Sequence, residues 1–159
     1  MSTDNNYSID SENAFIKASA YCVYRDRCRK EITFKLKEWK LDSSKIPDVI
    51  EKLVEEGFIN EERFATAFAR GKFRINKWGK IKITGFLRIN GISDALIRKA
   101  ISEIDPGEYR NTLARIIQTK AKSLKEKDNR IRNTKLINFA TSKGFESELI
   151  KEILHTEIQ

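Results

Sequence analysis

Cysteine, proline and histidine are all scarce in this 159-residue chain, which holds two, two and one of them. Cys22 and Cys28 fall in a predicted helix with no histidine nearby and no Cys-x-x-Cys spacing, so a zinc site lacks ligands and both read as free thiols. Neither a metal nor a cofactor is expected. His155 lies beside Thr156 and Glu157 near the last residues and reads as a surface side chain. A glycine-rich phosphate loop, a nucleophile elbow and metal-ligand spacing are missing too, so catalysis finds little support. A nuclease centre built from scattered carboxylates is the enzymatic option that remains. No basic segment followed by an apolar run opens the chain, and no stretch nears the apolar length that spans a bilayer. A soluble cytoplasmic protein without membrane contact is therefore expected. Both prolines sit where a helix starts, Pro47 in a first turn and Pro106 directly after the cap residue Asp105, positions that tolerate a missing N–H.

What the chain has in quantity is apolar residues at helical spacing. Hydrophobic residues make up 40% and charged residues 34%, a large share of charge for a globule, yet the periodicity argues against disorder beyond the ends. A first helix is predicted from Ser11 with Phe15, Ala18 and Cys22 inward. A second over about residues 29–40 carries Ile32, Leu36 and Trp39, and a third over about 44–56 carries Ile46, Val49, Ile50 and Leu53. The order then recurs over 61–75, 78–90 and 94–104, and again over 106–125, 129–142 and 146–156. The third helices show the recurrence best, in Val49-Ile50-x-x-Leu53-Val54, Leu96-Ile97-x-x-Ala100-Ile101 and Leu149-Ile150-x-x-Ile153-Leu154. The expected fold is all-α, three tandem three-helix repeats forming an elongated, curved molecule, because units this small lean on their neighbours. A flexible tail at 1–10 precedes repeats at 11–59, 60–104 and 105–159. A single irregular all-α globule is the competing architecture.

One stretch, Leu53–Arg74, ends one helix and opens the next. Gly57 suits a left-handed helix stop, and Asn60 suits an N-cap with Glu61 and Glu62 in the first turn. Ile59 and Phe64 have the spacing of a hydrophobic staple. Phe64 and Phe68 then share a face that Ile75 continues, while Arg63, Arg70 and Arg74 fall on another. The run Leu53-x-x-x-Gly57-Phe58-Ile59-Asn60-x-x-Arg63-Phe64-Ala65, followed by Lys77-Trp78-Gly79-x-x-x-Ile83-x-x-x-Leu87-x-x-x-Gly91-Ile92, resembles the central region of the RecX family of bacterial recombination regulators. A looser likeness runs from about Ala14 to Leu154. The resemblance implies a non-enzymatic regulator that binds the RecA recombinase filament on single-stranded DNA and lodges in its groove. There it would suppress strand exchange and ATP hydrolysis in recombination and DNA repair. It transfers only the scaffold positions Gly57, Phe58, Arg63, Phe64, Ala65, Gly79, Ile83, Leu87 and Ile92, and a monomer is the favoured state.

Charge suggests where contact is made. Thirty-one Lys and Arg stand against 23 Asp and Glu, a net charge of +8, which favours a polyanion or an acidic protein surface. No Asp or Glu occurs from Arg63 to Ser93, a span that holds Arg63, Arg70, Lys72, Arg74, Lys77, Lys80, Lys82 and Arg88, with Phe73 and Trp78 between them. These eight are the candidate nucleic-acid or filament-binding residues, and the two rings are either stacking partners or core. Lys120, Lys122, Lys125 and Lys127 form a secondary basic run, for which a solvated helix end is the plain alternative. A stand-alone helical nucleic-acid-binding protein and an adaptor for an acidic partner are the competing functions.

Overall fold

Asp10 accepts the Asn13 N–H at 2.8 Å, which caps the first helix. In the computed structural model, which describes residues 8–158, nine α-helices follow in threes. They are α1 (Ser11–Tyr24), α2 (Arg29–Glu38), α3 (Ile46–Glu55), α4 (Glu61–Arg74), α5 (Lys80–Ile89), α6 (Asp94–Ser102), α7 (Pro106–Ser123), α8 (Asn129–Ser142) and α9 (Ser147–Glu157). No strand occurs among the described residues. The tail expected at 1–10 falls, for residues 1–7, outside the described residues.

Two compact units divide the chain, residues 8–65 with Asn90–Ile92 in one, and 66–89 with 93–158 in the other. In the first, α1, α2 and α3 pack on one another around Ala18, Ile32, Leu36, Val49 and Leu53. Phe15 and Trp39, expected inside, lie at the margin of this core. There they meet Phe58 and Tyr21 edge-on, with ring centroids 5.9 and 6.1 Å apart. Cys22 and Cys28 are buried free thiols, and burial pushes both above the usual thiol range. At the end of α3, Gly57 takes a φ of 79°, and the N–H groups of Gly57 and Phe58 return to Val54 and Leu53 at 3.0 and 2.8 Å. That is a Schellman stop. Asn60 then caps α4 through the Arg63 N–H at 2.9 Å.

Helix ends differ from expectation where backbone geometry intervenes. The second helix stops at Glu38 rather than continuing to 40, because Lys40 adopts a φ of 62°. Ser43–Lys45 form a single 3-10 turn before α3. Ile75 lies past the end of α4 and is 80% exposed, so it does not continue the Phe64 and Phe68 stripe. The fifth helix begins at Lys80 instead of 78, since Lys77 turns left-handed with a φ of 58°.

In the second unit α5 packs on α6, and α7, α8 and α9 pack on one another. Its centre is a ladder of rings, Phe73 to Tyr109 to Phe145, with centroids 5.7 and 5.0 Å apart. Phe73 is thus core. The open N-terminus of α5 is satisfied by the third triplet rather than by a side chain of its own. The N–H groups of Gly79 and Ile81 donate to the carbonyls of Lys143 and Gly144 at 2.7 and 3.0 Å, and the Lys80 N–H donates to the Tyr109 hydroxyl at 3.0 Å. That hydroxyl in turn donates to Glu146, and burial together with the neighbouring carboxylate holds Tyr109 protonated. The backbones approach so closely that a Cβ at Gly79 would sit 2.3 Å from the carbonyl of Gly144.

Candidate nucleic-acid interface

Arginines and lysines of the carboxylate-free span have different surroundings. Within the first unit Arg63 pairs with Asp26 and also donates to the Gly57 carbonyl at 3.2 Å, tying α4 to the preceding turn. Within the second unit Arg70 faces Glu103 at 3.7 Å, Arg74 faces Glu108 at 3.7 Å, and Arg88 faces Asp94 at 3.1 Å. All four arginines therefore meet carboxylates supplied from outside the span. Exposed pairs of this kind stabilise by only about 0–1 kcal/mol. Their larger effect is electrostatic, since each cancels positive charge where it sits.

The four lysines have no such partner in the described structure. Lys72 and Lys82 place their ammonium groups 4.9 and 4.5 Å from the Trp78 ring centre. Lys80 lies 4.6 Å from the Tyr109 ring centre, and Lys77 donates to the Arg74 carbonyl at 2.6 Å. Such contacts orient the ammonium groups and leave their charge in place. Trp78 is half-buried and packs against Phe86, with centroids 4.9 Å apart, and against Phe68 at 6.3 Å. It is a packed ring with cations over it, between the core and stacking readings. Phe86 is 43% exposed and lies on α5 beside Lys82 and Trp78, so it is the most exposed ring of this cluster. The sequence reading missed Phe86, although its position four residues after Lys82 puts both on one face of α5.

The secondary run divides as well. Lys122, Lys125 and Lys127 are exposed at the end of α7 and in the loop after it. Lys120 leans over Phe139 at 5.2 Å and shares a cleft with Lys77, Arg115 and Lys143. Arg115 and Lys143 were also missed, because each lies among carboxylate-poor but unremarkable sequence and only packing of α7 on α8 brings them together. Among the described residues no group of three or more His, Cys, Asp or Glu is placed to hold a metal ion. No helix there is long and apolar enough to cross a membrane.

Residues 60–101 match the model of the second three-helix domain of RecX, and residues 108–154 match that of its third three-helix domain. The chain is 31% identical to regulatory protein RecX of Chlorobium phaeobacteroides (strain BS1) over 145 residues, covering 91% of this chain and 93% of that protein. It is 31% identical to regulatory protein RecX of Mycobacterium sp. (strain JLS) over 124 residues, or 75% and 68% of the two chains. With the Bacillus mycoides (strain KBAB4) relative the identity is 23%, and the chain spans only 54% of that protein's length. Among solved structures, a crystal structure of regulatory protein RecX superposes with a TM-score of 0.84 at 22% identity, covering 91% of this chain and 71% of that one. RecX from Lactobacillus salivarius superposes with a TM-score of 0.81 at 22% identity, covering 91% and 94%. Both structural likenesses speak to the fold.

Proposed function

The chain belongs to the RecX family, whose relatives are regulatory proteins, and from that premise we propose that it binds the RecA recombinase filament on single-stranded DNA and restrains it without catalysing a reaction of its own. The observation that carries the proposal is the lysine and ring cluster of α4 and α5. Lys72 and Lys82 keep their charge beside Trp78 and exposed Phe86, with no carboxylate paired to either. A phosphate backbone is drawn to the ammonium groups, and an unstacked base has an exposed ring beside them to stack on. Regulation then follows from preferential binding: a ligand that holds one assembled state of the filament shifts the population toward that state, and the shift is set by its differential affinity. A cytoplasmic location fits this role.

The test is the DNA-dependent ATPase of the cognate recombinase with and without the chain. The expected result is a fall in ATPase at well under one molecule per recombinase subunit. Lys72→Glu with Lys82→Glu is expected to weaken the effect by about tenfold, or about 1.4 kcal/mol, while the fold is retained. ATPase that does not respond to an excess of folded protein would sink the proposal.

A further inference from the structure

Two basic runs that lie far apart in the chain meet in the second unit. Lys77, from the turn before α5, and Lys120, near the end of α7, line one cleft of about 380 Å³ with Arg115, Lys143, Ile116 and Phe139. No carboxylate lines it, and none of the four cations is in an ion pair among the described residues. The cleft beside Arg70 and Arg74 is different, because Glu103, Asp105 and Glu108 line it too and offset its charge. Four unneutralised cations around one opening repel each other until an anion arrives, so the cleft selects for negative charge.

Its apolar lining decides what kind of anion. Ile116 and Phe139 give it an apolar lining, and the Lys120 ammonium already lies over the Phe139 ring at 5.2 Å. A nucleobase that stacks on that ring must displace the ammonium first. Apolar and cationic side chains lining one opening are instead the make-up of a protein anchor site, where one large side chain is buried and charges around it set register. The volume is near the small end of ligand pockets, which run from roughly 300 to 1,000 Å³, and suits a single side chain with its flanks.

We infer that this cleft docks an acidic peptide segment of a partner protein. One large apolar side chain enters against Ile116 and Phe139, and flanking carboxylates meet Lys77, Arg115, Lys120 and Lys143. The inference goes beyond the filament reading and does not rest on it, since it needs neither a recombinase nor DNA.

The experiment is fluorescence anisotropy of the full chain with a labelled peptide of alternating Asp and Glu around a central Leu-Phe pair, at near-physiological salt. Binding is expected, and replacing the Leu-Phe pair with Ser-Ser in the peptide, a change that leaves the protein untouched, is expected to weaken it by about tenfold. Arg115→Glu with Lys120→Glu is expected to weaken it by about tenfold as well, whereas Arg98→Glu with Arg130→Glu, an equal change of charge outside the cleft, is expected to alter it by less than about twofold. A labelled oligothymidylate serves as the second probe, and its affinity is expected to be the same for the cleft variant and the variant of equal charge outside the cleft. Equal weakening by the two charge reversals, or indifference to the apolar pair, would mean diffuse attraction and overturns the inference. Loss of oligothymidylate binding with peptide binding intact would assign the cleft to nucleic acid and overturns it too.

Discussion

Gly79 and Gly85 lie six residues apart in the second unit and answer to different constraints. A Cβ at Gly79 meets backbone of residues 144 and 145, whereas one at Gly85 meets nothing within 4 Å. Gly79→Ala must therefore push apart the contact that satisfies the start of α5, and is expected to destabilise by about 3 kcal/mol, the upper end of overpacking costs. Gly85→Ala only removes a poor helix former and is expected to stabilise by about 0.5–1 kcal/mol. Urea denaturation of both variants checks the pair, and equal effects would contradict the close approach. At this scale the sequence marks Gly79 as a motif residue, but a glycine in a motif and a glycine in an open helix look alike until the neighbouring backbone is known.

Helix ends carry the same contrast between local and distant causes. Three middle helices end in a left-handed residue, and the third triplet uses Gly144 and the second Gly91, but the first uses Lys40 with a φ of 62°. Its N–H and that of Leu41 return to Lys37 and Leu36 at 3.0 Å each, so the stop is formed despite the side chain. A left-handed residue with a Cβ costs about 1–2 kcal/mol, part of which glycine gives back through its freedom in the unfolded chain. Lys40→Gly is accordingly expected to raise stability by roughly 0.5–1 kcal/mol, read from the shift in thermal midpoint. No gain would show that the lysine side chain repays its backbone strain. The caps at Asn60 and Asp105 are legible in advance because a cap needs only its own residue and the N–H groups two or three positions on. The start of α5 is not, since its N–H groups end on carbonyls of residues 143 and 144.

Charge is a property of the whole molecule, and here the net value of +8 overstates what a polyanion meets. Arg70, Arg74 and Arg88 each face a carboxylate, so the effective positive surface of α4 and α5 rests on Lys72, Lys77, Lys80 and Lys82. If these lysines contact phosphates of a single strand, binding falls with salt on a log–log slope of about −3, at roughly 0.7 per phosphate. Lys72→Gln with Lys82→Gln is expected to lower the magnitude of that slope by about 1.4, and Arg88→Gln to leave it unchanged. Titrating an oligothymidylate over a range of salt concentrations measures this, and a slope that responds to Arg88 but not to the lysines would place the contact elsewhere.

Helical periodicity, cap residues and glycine stops are short-range, set by neighbours within a turn or two, and for that reason the residues alone determined an all-α chain of recurring triplets and most of its helix ends. They also determined that the span from Arg63 to Ser93 is rich in cations. Which cations remain available was decided only by the tertiary structure, because Coulomb attraction acts through space. Carboxylates at 26, 94, 103 and 108, all outside that span, came to lie beside its arginines, and α7 packed on α8 brought Lys120, Arg115 and Lys143 to the same opening as Lys77.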